Sequence, residues 1–257
     1  MTAGLASLDD LRRAYRATQA IDLSPASISA IGSPSAWTPA AGERVVLVCG
    51  CGGACGATTV SLALATVFGR ARVVETSSAI SSGLVYAADA ELGITDHGWL
   101  RGSRSAVAVE RRSDSLSSPD HLPVPAHSDL PLTLVDSSWD LTGLLGSPGW
   151  LGQLARTASP VVLVARATVP GLRRLAAAVD QVGEARTVAV TVGPKRWPRP
   201  VEQSAAAAVR RLREAGRVVT VPELPALAIA GITPDPLPPG VLGSASTLLN
   251  LLEGVLS

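Results

Sequence analysis

Short apolar runs alternate with longer amphipathic stretches along most of the chain. The runs are rich in valine and leucine, which is typical of strands covered on both faces of a parallel sheet. The stretches between them have the length and apolar spacing of helices. Strands are predicted at residues 45–48, 71–74, 106–110, 132–135, 161–165, 187–192 and 218–221, and helices from residue 58 and at residues 171–182, 201–215 and 244–256. This order predicts an α/β fold, with a doubly wound, mostly parallel sheet and helices on both faces.

The first predicted strand runs into a glycine-rich loop and then into a helix. The loop contains the glycines Gly50, Gly52, Gly53 and Gly56. A strand, a glycine loop and a helix N-terminus in this order place backbone N–H groups around an anion, as in phosphate-binding loops. In the pattern GxxxxGK[ST] a lysine follows the last glycine, whereas this chain has Ala57 there. The pattern therefore predicts a P-loop NTPase-like domain whose loop lacks its lysine.

The loop resembles that of one family in more detail. Residues 52–59, Gly-Gly-Ala-Cys-Gly-Ala-Thr-Thr, are similar to the KGGxGKTT loop of the MinD/ParA family, a deviant Walker branch of the P-loop proteins. That family has two loop lysines, one of which reaches across a dimer, and Gly52 and Ala57 stand at their places. The only lysine of the chain is Lys195, far downstream. The resemblance therefore implies a loop that keeps its backbone and loses its cations, with neither lysine charge supplied locally.

Further segments follow the order of the same family. Leu134-Val135-Asp136-Ser137 resembles the VVDxP segment, whose aspartate holds magnesium through water, and Val221-Pro222 resembles a late segment near the nucleotide base. Glu75 replaces the first acid of the family's Asp-x-Asp-Pro sequence, while Ser77 replaces the second. The resemblance covers residues 43–256. It implies weak binding of ATP and magnesium, with the nucleotide at Gly52, Gly53, Gly56, Ala57, Thr58, Thr59 and Pro222 and the metal at Thr58 and Asp136.

The chain divides into an N-terminal part, residues 1–42, and the P-loop domain, residues 43–257. Residues 5–19 predict a helix with Leu5, Leu8 and Leu11 on one face, followed by a linker rich in proline and serine. This helix is either a docking element for a partner or a membrane surface, or a cover for an exposed face of the core. Serine and proline in residues 102–131 predict a mobile excursion. The last helix has no lysine or arginine, unlike the basic membrane helix of MinD proteins, and is expected to pack against the core.

Composition limits the classes of partner. The 257 residues are 47% hydrophobic with a net charge of +1, which indicates one large core and argues against bulk nucleic acid as the main partner. No run reaches the roughly 18 apolar residues of a membrane span, and Asp9 and Asp10 argue against a signal peptide. The segment 195–199 combines cations with Trp197 and is a candidate contact for phosphate, a base or an acidic partner. The neighbouring arginines at 210, 211 and 213 are predicted to be solvated.

All three cysteines lie in or beside the loop. Cys49, Cys51 and Cys55 are one ligand short of a tetrahedral metal site, and no histidine is close in sequence. One interpretation is that Cys49 packs as a small apolar strand residue and the others fill space in the loop. The alternatives are a metal site and a thiol sensor, because a helix N-terminus lowers the pKa of a nearby cysteine.

Two classes of function follow from these observations. Within the family, the chain is most similar to actinobacterial proteins of the CpaE/TadZ type, which carry degraded loops and act as localisation factors. This resemblance implies a cytoplasmic interaction module, recruited to a membrane-associated secretion, pilus, conjugation or partitioning system through a protein partner. The alternative is a positioning ATPase that binds ATP and magnesium and forms a homodimer.

Overall fold

The computed structural model describes residues 36–256, which form a nine-stranded sheet in the order β3-β4-β5-β2-β6-β1-β7-β8-β9. Only β4 runs against the other strands of this sheet. The strands are β1 Arg44–Gly50, β2 Ala71–Glu75, β3 Ala90–Ile94, β4 Trp99–Arg104, β5 Val107–Arg112, β6 Leu132–Ser137, β7 Val161–Arg166, β8 Thr187–Val192 and β9 Val218–Val221. The predicted α/β class with a mostly parallel sheet is confirmed.

Helices cover both faces of the sheet. They are α1 Ala57–Phe68, α2 Leu141–Gly146, α3 Trp150–Thr157, α4 Val169–Val182, α5 Arg199–Ser204, α6 Ala207–Glu214, α7 Pro225–Ala230 and α8 Pro239–Leu256. Alternate residues of β1 belong to different cores: Leu47 packs with α3 and α4, and Val48 packs with α1 and α8. This alternation follows from the two-residue period of a strand.

Three predicted elements differ from the structure. The helix predicted at residues 201–215 is two helices, α5 and α6, separated by the extended residue Ala205, which is buried in the core. The hairpin of β3 and β4 was not predicted, since β3 is exposed along its whole length and has no apolar run. The last helix begins earlier than predicted, at Pro239, a residue suited to a first helical turn.

The segment predicted as a mobile excursion instead packs against the core. It follows β5 with a short 3₁₀ turn, Pro119–His121, and Leu122 is buried against the helices. The indole of Trp150 donates hydrogen bonds to the carbonyls of Leu122 (2.9 Å) and Pro123 (3.2 Å), which fixes this segment to α3.

The last helix packs against the core as predicted, with Leu248 and Leu252 buried on its inner face. Among the described residues, none of the helices has the length and apolar character needed to cross a bilayer. The predicted helix at residues 5–19 and most of the linker lie outside the described residues.

A buried ionic cluster holds the sheet at the start of β2. The guanidinium of Arg72 is 1% exposed and lies 2.9 Å from a carboxylate oxygen of Glu43 and 3.5 Å from one of Glu110. It also donates to the Ala126 carbonyl at 2.6 Å. Burial raises the pKa of Glu110, and the charge of Arg72 opposes that shift. One buried cation thus neutralises two buried acids.

We expect Arg72→Leu to lower the free energy of unfolding by about 3–5 kcal/mol, because it leaves buried carboxylates without their cation. The control is Arg101→Leu. Arg101 lies 3.4 Å from Glu110, but its side chain is 47% exposed, so its loss should cost at most about 1 kcal/mol. Urea unfolding of the three proteins measures both effects. Equal losses in the two variants would contradict the assigned role of Arg72.

Candidate phosphate-binding cleft

The central position of β1 determines which residues surround its carboxyl end. β1 pairs in parallel with β6 on one side and β7 on the other, so Val48 is level with Asp136 and Gly50 with Val164. Because the carboxyl ends of parallel strands meet at one edge of a sheet, the loop after β1 lies between the ends of its two neighbours. This edge opens into a cleft of about 1170 Å³.

The loop after β1 has the backbone that the glycine pattern predicts. Gly56 is left-handed, with φ +93°, and forms the N-cap of α1 without a side-chain hydrogen bond. The left-handed conformation disfavours a larger residue at Gly56, and a Cβ there would lie in tight contact with Val192 Cγ2, at 3.2 Å. The N–H groups of the first turn of α1 have no carbonyl partner within the helix, and a helix N-terminus of this kind attracts anions.

The cleft brings the sequence-predicted residues together. Its wall includes Gly52, Gly53, Gly56, Ala57, Thr58, Thr59, Asp136 and Pro222. The basic segment at residues 195–199 does not line it. Trp197 is instead buried, with the Arg213 guanidinium 4.6 Å from the centre of its ring. The three arginines of α6 lie on its exposed face, as predicted.

Thr58 and Asp136 form the polar floor of the cleft. The Asp136 carboxylate is 2% exposed, and its pKa is raised to about 7 by burial and by the nearby charge of Glu75. A hydrogen bond from the Thr58 side chain opposes this shift. A hydroxyl beside a carboxylate is the oxygen chemistry that magnesium prefers, so this pair fits the predicted metal. Gly52 and Ala57, which the sequence resemblance aligns with the two loop lysines, carry no charge.

Glu75, which the sequence places where the family has its first acid, does not line the cleft. Its carboxylate accepts hydrogen bonds from the Gly83 N–H at 2.7 Å and from the Ser82 hydroxyl. These bonds hold the segment after β2 close to Thr58, where a Cβ at Gly83 would lie 3.0 Å from Thr58 Cγ2. Glu75 therefore acts indirectly, by fixing the backbone that packs against Thr58.

Two arginines from elements outside the loop line the cleft, and the sequence analysis did not predict either of them. Arg166, at the end of β7, and Arg174, on α4, both line the cleft. Arg166 is ion-paired with Glu223, which follows β9. Arg174 lies beside Gly52. The helical spacing of α4 was visible in the sequence, but the face that meets the loop depends on how the helix packs.

The cysteines have raised pKa values, contrary to the thiol-sensor hypothesis. Burial is the largest cause at Cys49, Cys51 and Cys55, and it outweighs the lowering expected from the helix N-terminus. Cys49 is buried in β1, as the packing interpretation holds. Among residues 36–256, no group of three or more metal-binding side chains is close enough to hold a metal ion.

No protein-family model and no curated protein matches the chain. Among solved structures, the cell division ATPase MinD of Pyrococcus furiosus matches at 16% identity and a TM-score of 0.52, over 82% of this chain and 99% of that one. A Borrelia burgdorferi protein assigned to plasmid partition and bound to AMPPNP matches at 12% identity (82% and 99% covered, TM-score 0.49). Apo McdA of Cyanthece matches at 11% (84% and 100% covered, TM-score 0.48). The chain thus has the fold of MinD.

The raised pKa of Asp136 predicts a pH-dependent effect of Asp136→Asn. A carboxyl that binds its proton more tightly in the folded state stabilises the fold at low pH, and this contribution is lost as pH rises from about 4 to about 7. The variant lacks this titration. Its stability relative to the natural protein should therefore increase between pH 5 and pH 8, by on the order of 1–2 kcal/mol. Urea unfolding at both pH values measures it, and a pH-independent difference would contradict the assignment.

Proposed function

We propose that the chain is a degenerate MinD/ParA-like protein that acts as a localisation or assembly factor, with slow or absent nucleotide hydrolysis. The observation that carries the proposal is Ala57 at the start of α1, in a loop whose backbone is otherwise that of a phosphate-binding loop. Phosphoryl transfer depends on cations that neutralise charge on the transferring group. Absence of the lysine should therefore slow nucleotide hydrolysis while the backbone of the loop and the fold are kept.

Exposed apolar side chains support a protein partner at the cleft edge. Ile80 is 90% exposed and Tyr86 is 76% exposed, and both lie in the segment that leaves the carboxyl end of β2. Ile229, on α7, is 87% exposed, and α7 itself follows the carboxyl end of β9. Exposed apolar groups indicate an interaction surface where they form one contiguous patch. A component of a secretion, pilus, conjugation or partitioning system is the class of partner we propose, in the cytoplasm or at a membrane-associated complex.

The alternative is an ATP-dependent positioning switch that binds ATP and magnesium and dimerises. The neighbouring Thr58 and Asp136 favour it, because they retain the oxygen groups of a magnesium site. Gly52 argues against it, because a residue without a side chain cannot reach the phosphates of a second copy. The two functions differ in turnover and in the response of assembly to nucleotide.

The purified protein should hydrolyse ATP at least about a hundredfold more slowly than a MinD-type ATPase, because the cation at position 57 is missing. Phosphate release with ATP and magnesium measures this rate. Asp136→Ala serves as the control for contaminating ATPases, since it should leave any contaminant unchanged. Turnover typical of an ATPase, abolished by Asp136→Ala, would overturn the proposal in favour of the switch.

Self-association should not depend on nucleotide. Sedimentation of the full chain with and without ATP and magnesium should give the same distribution of species, because no loop lysine is present to bridge two copies. Removal of residues 1–42 should alter partner binding or assembly more than nucleotide does, through loss of the apolar face at Leu5, Leu8 and Leu11. A nucleotide-dependent dimer that tolerates the truncation would return the protein to the switch class.

A further inference from the structure

An arginine of α4 lies directly over the loop at the place of a missing lysine. A Cβ built on Gly52 would be 2.9 Å from Nη1 of Arg174 and 3.7 Å from its Cζ. Arg174 is exposed to the cleft, and within residues 36–256 it makes no hydrogen bond or ion pair. Its guanidinium therefore contacts the loop, and its N–H donors have no partner among the described residues.

The helix directs this side chain into the cleft. Arg174, Ala177, Ala178 and Gln181 all line the cleft, and they fall three, four and seven residues apart on one face of α4. The adjacent Arg173 is also exposed but does not line the cleft. The two arginines thus carry the same charge on different sides of one helix.

Gly52 is what makes room for Arg174. The backbone of Gly52 is outside the left-handed region, so any residue could adopt its conformation, whereas Gly56 has φ +93°. A side chain at position 52 would meet Nη1, the end of the flexible Arg174 side chain, which would have to shift. Arg174 therefore keeps its observed place only when position 52 carries no side chain.

The second arginine of the cleft is already neutralised. Arg166 is paired with Glu223, and both side chains are partly exposed at the end of the sheet. Arg174 has no such acid, so it is the cation of the cleft wall with its charge available to a ligand. A guanidinium presents a planar set of donors that binds phosphate oxygens in pairs.

We propose that Arg174 supplies from the same chain the positive charge that the loop has lost, and that it contacts the polyphosphate of a nucleoside triphosphate held by residues 52–59. This inference rests on the proposed function for the identity of the cleft as a degenerate nucleotide site. The cation comes from α4 of the same protomer, so binding of the triphosphate needs no second copy. Binding of the triphosphate and self-association of the protein are therefore independent of each other.

Calorimetry on the full chain tests this with three probes: ATP with magnesium, inorganic tripolyphosphate, and adenosine. Arg174→Ala should weaken binding of ATP and of tripolyphosphate about tenfold or more, because it removes charge-assisted hydrogen bonds to phosphate. Adenosine binding should not change. Arg173→Ala is the matched control, and it should alter affinity for ATP less than twofold. An unchanged thermal midpoint verifies that each variant folds.

Position 52 provides an independent variant. Gly52→Ala should displace the Arg174 side chain and weaken ATP binding, and the same substitution in the Arg174→Ala background should cause no further loss. Additive losses would contradict the displacement and overturn the proposal. Arg174→Lys should recover part of the affinity lost in Arg174→Ala, since it restores a charge without the planar donors.

The outcomes separate this inference from the proposed function. Equal losses from Arg173→Ala and Arg174→Ala would show general electrostatic attraction, and they would overturn the role of Arg174. Absence of ATP and tripolyphosphate binding at millimolar concentration would also overturn it, while leaving an interaction module that works without nucleotide. Rapid ATP turnover would overturn the proposed function, while a tenfold loss in Arg174→Ala would still support the contact.

Discussion

Parallel pairing of β1 on both sides is the constraint on which the cleft depends. With β6 and β7 as neighbours, the end of β1 is level with Asp136 on one side and with the last residues of β7 on the other. The loop must then turn between two occupied strand ends and enter α1. The register of three strands, more than any single side chain, sets the positions of Thr58, Asp136 and Arg166 around the cleft.

The buried charges at the two ends of β2 have different roles, one in stability and the other at the cleft. At its amino end, Arg72 neutralises Glu43 and Glu110 in a buried cluster. At its carboxyl end, Glu75 and the nearby Asp136 have raised pKa values, chiefly because burial disfavours their charge. Buried acids without a cation are costly to a fold, and shifted pKa values cluster at functional sites. The carboxyl edge therefore has the electrostatics that the proposed magnesium site needs.

Loop shape and loop charge are separable in this protein. The shape depends on Gly56 in a left-handed conformation close to Val192, and neither feature involves a lysine. A positive charge at the cleft wall comes from Arg174, a residue of a different helix whose guanidinium lies beside Gly52. Under the proposal above, that helix supplies the charge that the loop itself does not carry.

The sequence by itself determined the fold class, the loop and the set of residues that gather at the cleft, because valine-rich runs and clustered glycines act over a few residues. It did not predict β3, whose exposed residues form a strand only by pairing with β4. It also left open whether Cys51 and Cys55 are packed or reactive, and burial, which depends on tertiary packing, raises the pKa of both. The place of Arg174 was decided by tertiary structure alone. A helical period shows which residues share a face, and only the packing of α4 on β7, the neighbour of β1, determines that this face meets the loop.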